Sequence, residues 1–102
     1  MRSALQDSKG GAVTISGYVS STNLNGPGWT ATHTGAGQYV IRTTQPLRVL
    51  LGATAVTAFP PAAGAALTNA SGDATQVTIN MFSITGAPTD SAFMFTINGL
   101  AR

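Results

Sequence analysis

The stretch Gly28–Arg42, GWTATHTGAGQYVIR, decides the fold. Trp29, Ala31 and His33 alternate with Thr30, Thr32 and Thr34. Beyond Gly35-Ala36-Gly37, Tyr39 and Ile41 alternate with Val40 and Arg42. Period-two patterning on both sides of a Gly-rich turn predicts a β-hairpin, because successive strand side chains point to opposite faces. The turn glycines suit a tight reversal, which needs positive φ that only glycine adopts without steric cost.

Towards the N-terminus, Ser20–Gly28 reads as a loop ending in the turn residues Asn25-Gly26-Pro27-Gly28. Ala12–Val19 reads as a strand, with Val13, Ile15 and Val19 alternating against Thr14, Ser16 and Tyr18. Gly17 interrupts its apolar side and predicts a bulge or a close backbone approach. Residues 1–11 are polar and show no alternation, so they are expected to form a short arm, either frayed or ordered against a neighbouring subunit.

Towards the C-terminus, Thr43–Pro46 is a short connection. Leu47–Ala58 is the most apolar segment and reads as a strand covered on both faces, by the core and by a neighbouring subunit; its alanines make helix the competitor. Phe59–Ala74 reads as a long loop in which Ala62–Leu67 suits at most a short helical turn. Gln76–Ile84 is a strand whose apolar phase slips at Phe82, which predicts a bulge near Met81-Phe82. Thr85–Ser91 is a turn, and Ala92–Leu100 alternates cleanly as the last strand. Six or seven short strands separated by Gly, Pro and Asn turns predict an all-β domain over residues 12–102, a small antiparallel β-sandwich or jelly roll.

Composition narrows the function. Charged residues are 8% of the 102-residue chain, against about 25% in ordinary soluble domains. Surfaces that meet other subunits carry few charges at their centres, so the depletion favours an assembled protein. The five cations, Arg2, Lys9, Arg42, Arg48 and Arg102, are scattered and form no basic cluster for nucleic acid. No apolar run reaches the roughly 18 residues of a membrane span, and the polar N-terminus is not a signal peptide. Cysteine is absent, which removes disulfides and thiolate chemistry.

Catalytic material is thin. His33 is the only histidine and has no clustered partners at metal-ligand spacing. It could be combined with Asp73 or Asp90 and a serine, but no Gly-x-Ser-x-Gly elbow surrounds any serine. No catalytic, metal-binding or cofactor-binding residue is assigned, and the protein is expected not to be an enzyme. Asp90 reads as a turn cap, and as the alternative a ligand contact. Trp29 reads as a core residue, and as the alternative a stacking platform for a sugar.

Gly28–Arg42 also resembles a recurring phrase of bacteriophage fibre-type and tail-tip β domains. In these, Gly-Trp or Gly-Phe opens a Thr-rich strand, followed by a Thr-Gly-x-Gly turn and a Tyr-containing strand. The stretch Ile84–Leu100, ITGAPTDSAFMFTINGL, resembles the ending of the same domains, where Thr-Asp leads into Phe-x-Phe-x-Ile-x-Gly. Gly28, Trp29, His33, Thr34, Gly35, Gly37, Tyr39, Asp90, Phe93, Phe95, Ile97 and Gly99 match, and the two segments cover about a third of the chain. Fibre domains end a long shaft, whereas this domain begins eleven residues after Met1, which looks more like a head decoration (cement) protein. If the chain is a piece of a longer protein, the tail-tip resemblance leads.

The resemblance implies a virion structural protein synthesised in the host cytoplasm, a homotrimer on the capsid exterior that stabilises the shell. Its implied partners are copies of itself and the major capsid protein or another virion protein. In the tail-tip reading the partner is a host surface glycan. A secreted β-sandwich adhesion module is the third reading. The expected assembly contacts are Arg2, Gln6 and Lys9 in the arm, and Phe59, Pro60, Pro61 and Leu67 in the long loop.

Overall fold

The computed structural model describes residues 11–58, 62–68 and 74–101. Eight antiparallel strands run in the order β1 (Ala12–Val19), β2 (Asn25–Gly26), β3 (Trp29–Gly35), β4 (Gln38–Thr43), β5 (Leu47–Thr57), β6 (Ala62–Thr68), β7 (Gln76–Ser83) and β8 (Phe93–Ala101). They form a three-stranded sheet, β1-β8-β5, and a five-stranded sheet, β2-β3-β4-β7-β6. The fold is a small antiparallel β-sandwich, and the described residues contain no helix.

Alternation made the core. Val13, Ile15 and Val19 of β1, Val77, Ile79 and Met81 of β7, and Phe93, Phe95 and Ile97 of β8 are all buried, each two residues or a multiple of two from the next. Two edge-to-face ring pairs join the sheets across this core. Trp29 of β3 meets Phe95 of β8 at 5.1 Å, and Tyr39 of β4 meets Phe93 at 5.2 Å. Such pairs add about 0.5–1.5 kcal/mol each beyond the area they bury.

The expected features at Gly17 and on β7 resolve differently. Ala12 to Val19 pair with Leu100 to Phe93 without a register break, so Gly17 is no bulge. It is a close approach: a Cβ there would lie 2.5 Å from the Trp29 indole, and one at Gly26 would lie 2.7 Å from it. Two glycines on different strands therefore make room for the largest side chain of the core. On β7 no bulge forms at Met81-Phe82. The irregularity lies on its partner β6, between Ala62 and Gly64, and Ile84 has left the strand and is 90% exposed.

The segment read as a loop contains β6. Its alanines have little intrinsic strand preference, but pairing with β7 supplies the backbone bonds and overrides propensity. Gly64 lets the Phe82 ring lie close, since a Cβ would come within 3.1 Å of it. Strand β5 is a strand as expected, with Leu47 fully buried. Its Leu51 and Val56 are exposed in the single chain, at 61% and 55%. The arm contacts Arg2, Gln6 and Lys9, and the loop contacts Phe59, Pro60 and Pro61, lie outside the described residues.

Candidate functional site: a clamped hairpin tip and a charge-poor sheet face

The tip of the β3–β4 hairpin is held from outside. Gly37 is buried at φ +67, with a register shift between His33 and Gly35 beside it, which marks a hairpin loop that closes with a bulge. Its carbonyl accepts the Met81 N–H at 2.7 Å, and its own N–H donates to Asp90 Oδ1 at 2.5 Å. The chain from Ala87 to Asp90 reaches this point by folding back along β7. Ser83 N–H donates to Ala87 O, and Thr89 N–H donates to Met81 O. It occupies the edge of β7 that β4 leaves free beyond the hairpin turn.

Asp90 is thus a cap, as its sequence setting predicts, but it caps a turn 53 residues away rather than its own. Oδ1 also takes a bond from His33 Nε2 at 3.0 Å. A carboxylate only accepts, so the proton lies on Nε2. The His33 ring stacks on Tyr39, 4.4 Å between centroids and nearly parallel. The Gly37 N–H, and after it the imidazole, hold the Asp90 carboxyl below the usual carboxylate range, although burial opposes this. Burial pushes the Tyr39 phenol up, and the Asp90 charge adds to that.

These shifts predict acid sensitivity. Asp90 has a lower pKa folded than unfolded, so its contribution is complete above the unfolded value and is lost as pH falls through the folded one. Stability followed by denaturant titration should decline below about pH 4. Asp90→Asn should be less stable at pH 7 and show a flatter acid limb. An unchanged acid limb in that variant would assign the decline to other carboxylates.

Trp29 is 2% exposed and packed between the sheets, as its reading as a core residue expects, and no face of the indole is open for the alternative of stacking on a sugar. Its Nε1 is buried without a hydrogen-bond partner among the described residues. Leu67 is half-buried on β6 and packs against the core, between the exposed Ala66 and Thr68. Among the described residues, no group of three or more metal-ligating side chains is present, and no helix is long and apolar enough to cross a membrane.

The second feature is the outer face of β1-β8-β5. Strands β1 and β8 contain no charged residue, and β5 contains only Arg48, at the bulge between Leu47 and Val49. The register aligns Tyr18, Met94 and Val56 in one row across the three strands, and Ser16, Thr96 and Thr54 in the next. Tyr18, Met94 and Val56 are 41%, 48% and 55% exposed. Among the described residues, four of the six exposed large hydrophobics, these three and Leu51, belong to this sheet. The five-stranded sheet turns Thr30, Thr32, Thr34 and Arg42 to solvent instead.

Sequence reading missed this row. Tyr18 and Met94 stand at outward positions of alternating strands, and that phase is legible. Their alignment with Val56 depends on pairing between strands far apart in the chain. Comparison of the chain with protein families, with curated proteins and with solved structures gives no match.

Proposed function

We propose that this chain is a non-enzymatic structural protein of a bacteriophage virion, a homotrimeric decoration protein that stabilises the capsid from outside through contacts alone. The observation that carries this reading is the outer face of β1-β8-β5, whose one charge is Arg48 at the start of β5, with its Tyr18–Met94–Val56 row. The rest of the face can meet a copy of itself with no like-charge repulsion and no buried unpaired ion. Burial of its exposed apolar surface then drives association at roughly 25 cal/mol per Å² before the costs of ordering.

The phage assignment rests on the resemblance of Gly28–Arg42 and Ile84–Leu100. Its support from the fold is that these segments touch: Gly37 and His33 of the first meet Asp90 of the second. Residues that recur together in two distant stretches are then parts of one structural unit. The test is the position of the protein on intact particles, imaged with a label on the chain. The proposal expects regular density over the capsid exterior. Density only at the tail end would overturn it in favour of a tail-tip domain, and particles without the protein would overturn both.

A further inference from the structure

The dipeptide Asn-Gly occurs twice in the chain, as Asn25-Gly26 and as Asn98-Gly99. The fold puts the two in opposite settings. Asn98-Gly99 lies in β8, the central strand of the three-stranded sheet, with Thr14 and Val13 opposite on β1 and Gly52 and Leu50 opposite on β5. The Asn98 carboxamide is held as well, since its Oδ1 accepts the Thr14 hydroxyl at 3.0 Å. Gly99 is closely packed: a Cβ there would lie 2.7 Å from Val49 O. Asn25-Gly26, by contrast, is the whole of β2, a two-residue strand at the edge of the other sheet that pairs only with β3. Asn25 is exposed, and its side chain has no hydrogen-bond partner among the described residues.

We propose that Asn25 is a site of spontaneous covalent modification, its carboxamide converting to a carboxylate through a cyclic imide formed with Gly26. The Gly26 backbone nitrogen attacks Cγ of Asn25 and gives up its proton to solvent base. The bond from Cγ to the side-chain nitrogen breaks, and ammonia leaves. Water then opens the imide at either carbonyl, leaving aspartate or, with the backbone rerouted through Cβ and Cγ, isoaspartate. No electrons are exchanged, and water is the co-reactant. Glycine lacks a Cβ, so the attacking nitrogen is unhindered and its backbone can rotate into position. The attack requires Asn25 to leave extended geometry. A two-residue edge strand opens locally at little cost, whereas β8 is released only when its sheet comes apart. Either product lowers the formal net charge of +2 by one. Isoaspartate also lengthens the backbone next to Gly26, where a single Cβ would already lie 2.7 Å from the Trp29 indole. The site belongs to the edge of the five-stranded sheet and does not rest on the assembly reading.

Incubation of the full chain in mildly alkaline buffer, folded and in parallel unfolded in denaturant, tests this by peptide mapping with mass spectrometry. In denaturant both asparagines should convert at similar rates, because both precede glycine. In the folded protein Asn25 should convert at least about tenfold faster than Asn98. Asn25→Ser alters an exposed side chain, so it should keep the fold and remove the main acidic species seen on charge separation. Equal folded rates at the two positions would overturn the proposal. So would an Asn25 that stays intact in the folded protein while the unfolded chain converts, or an acidic species that survives Asn25→Ser undiminished.

Discussion

Trp29→Ala is expected to remove about 3–5 kcal/mol of stability, the usual cost of deleting a large aromatic from a packed core. The indole is 2% exposed, meets Phe95 edge to face, and fills space that two glycines leave for it. A domain of this size holds only about 5–15 kcal/mol in total, so the variant should be on the edge of unfolding. The midpoint of thermal unfolding should fall by more than about 10 °C. Gly17→Ala makes the account sharper. Its Cβ would come 2.5 Å from a rigid ring, so it should cost about 1–3 kcal/mol by overpacking. In a Trp29→Ala background the same change should cost much less, because the obstacle is gone. A double-mutant cycle measures that coupling, and additive costs would show that the glycine does not make room for the indole.

Gly37→Ala is expected to cost more than the same change at Gly86 or Gly52. Its φ of +67 alone costs alanine about 1–2 kcal/mol. The new methyl would also lie 2.6 Å from Met81 O and 2.7 Å from Thr89 N, backbone atoms that cannot swing aside. Relief requires moving the 87–90 segment off β7, which breaks the bonds joining Gly37 to Asp90 and to Met81. Each broken bond costs about 0.5–1.5 kcal/mol, so the total should reach about 3 kcal/mol or more. Two other glycines separate the causes. Gly86 has a φ of +87 with nothing near its Cβ position, so Gly86→Ala should carry the conformational cost alone. Gly52 has neither constraint, so Gly52→Ala should be close to neutral. Denaturant midpoints of the three variants should fall in that order. A Gly37→Ala protein no weaker than Gly86→Ala would mean that the tip is not clamped.

How much of this was legible follows from what period-two alternation can encode. Val13, Ile15 and Val19 announce their shared face within eight residues, and Phe93, Phe95 and Ile97 do the same, so β1 and β8 were readable to within a residue. Strand β6 was not, because alanine and glycine carry no alternation and its order comes from β7. The apolar shift at Phe82 was a true signal with the wrong cause. It marked where β7 ends and Ile84 turns out to solvent, not a bulge within the strand. Asp90 was legible as a capping residue, but its target could not be, since the Gly37 amide is brought to it only by the pairing of β4 with β7. The outward row of Tyr18, Met94 and Val56 was hidden for the same reason, lying on three strands whose order in the sheet differs from their order in the chain.

The central claim is that the charge-poor face of β1-β8-β5 holds copies of this chain together. The mass of the protein in solution, by sedimentation equilibrium at micromolar concentration, tests it most directly, with Met94→Lys run beside it. Met94 is 48% exposed, so a lysine there should leave the fold intact while placing a charge in the middle of the Tyr18–Met94–Val56 row. The account predicts a mass near three times the 10.3 kDa chain for the native protein and that of a single chain for the variant. A native protein that stays at the mass of one chain, or a variant that assembles as well as the native one, would contradict it.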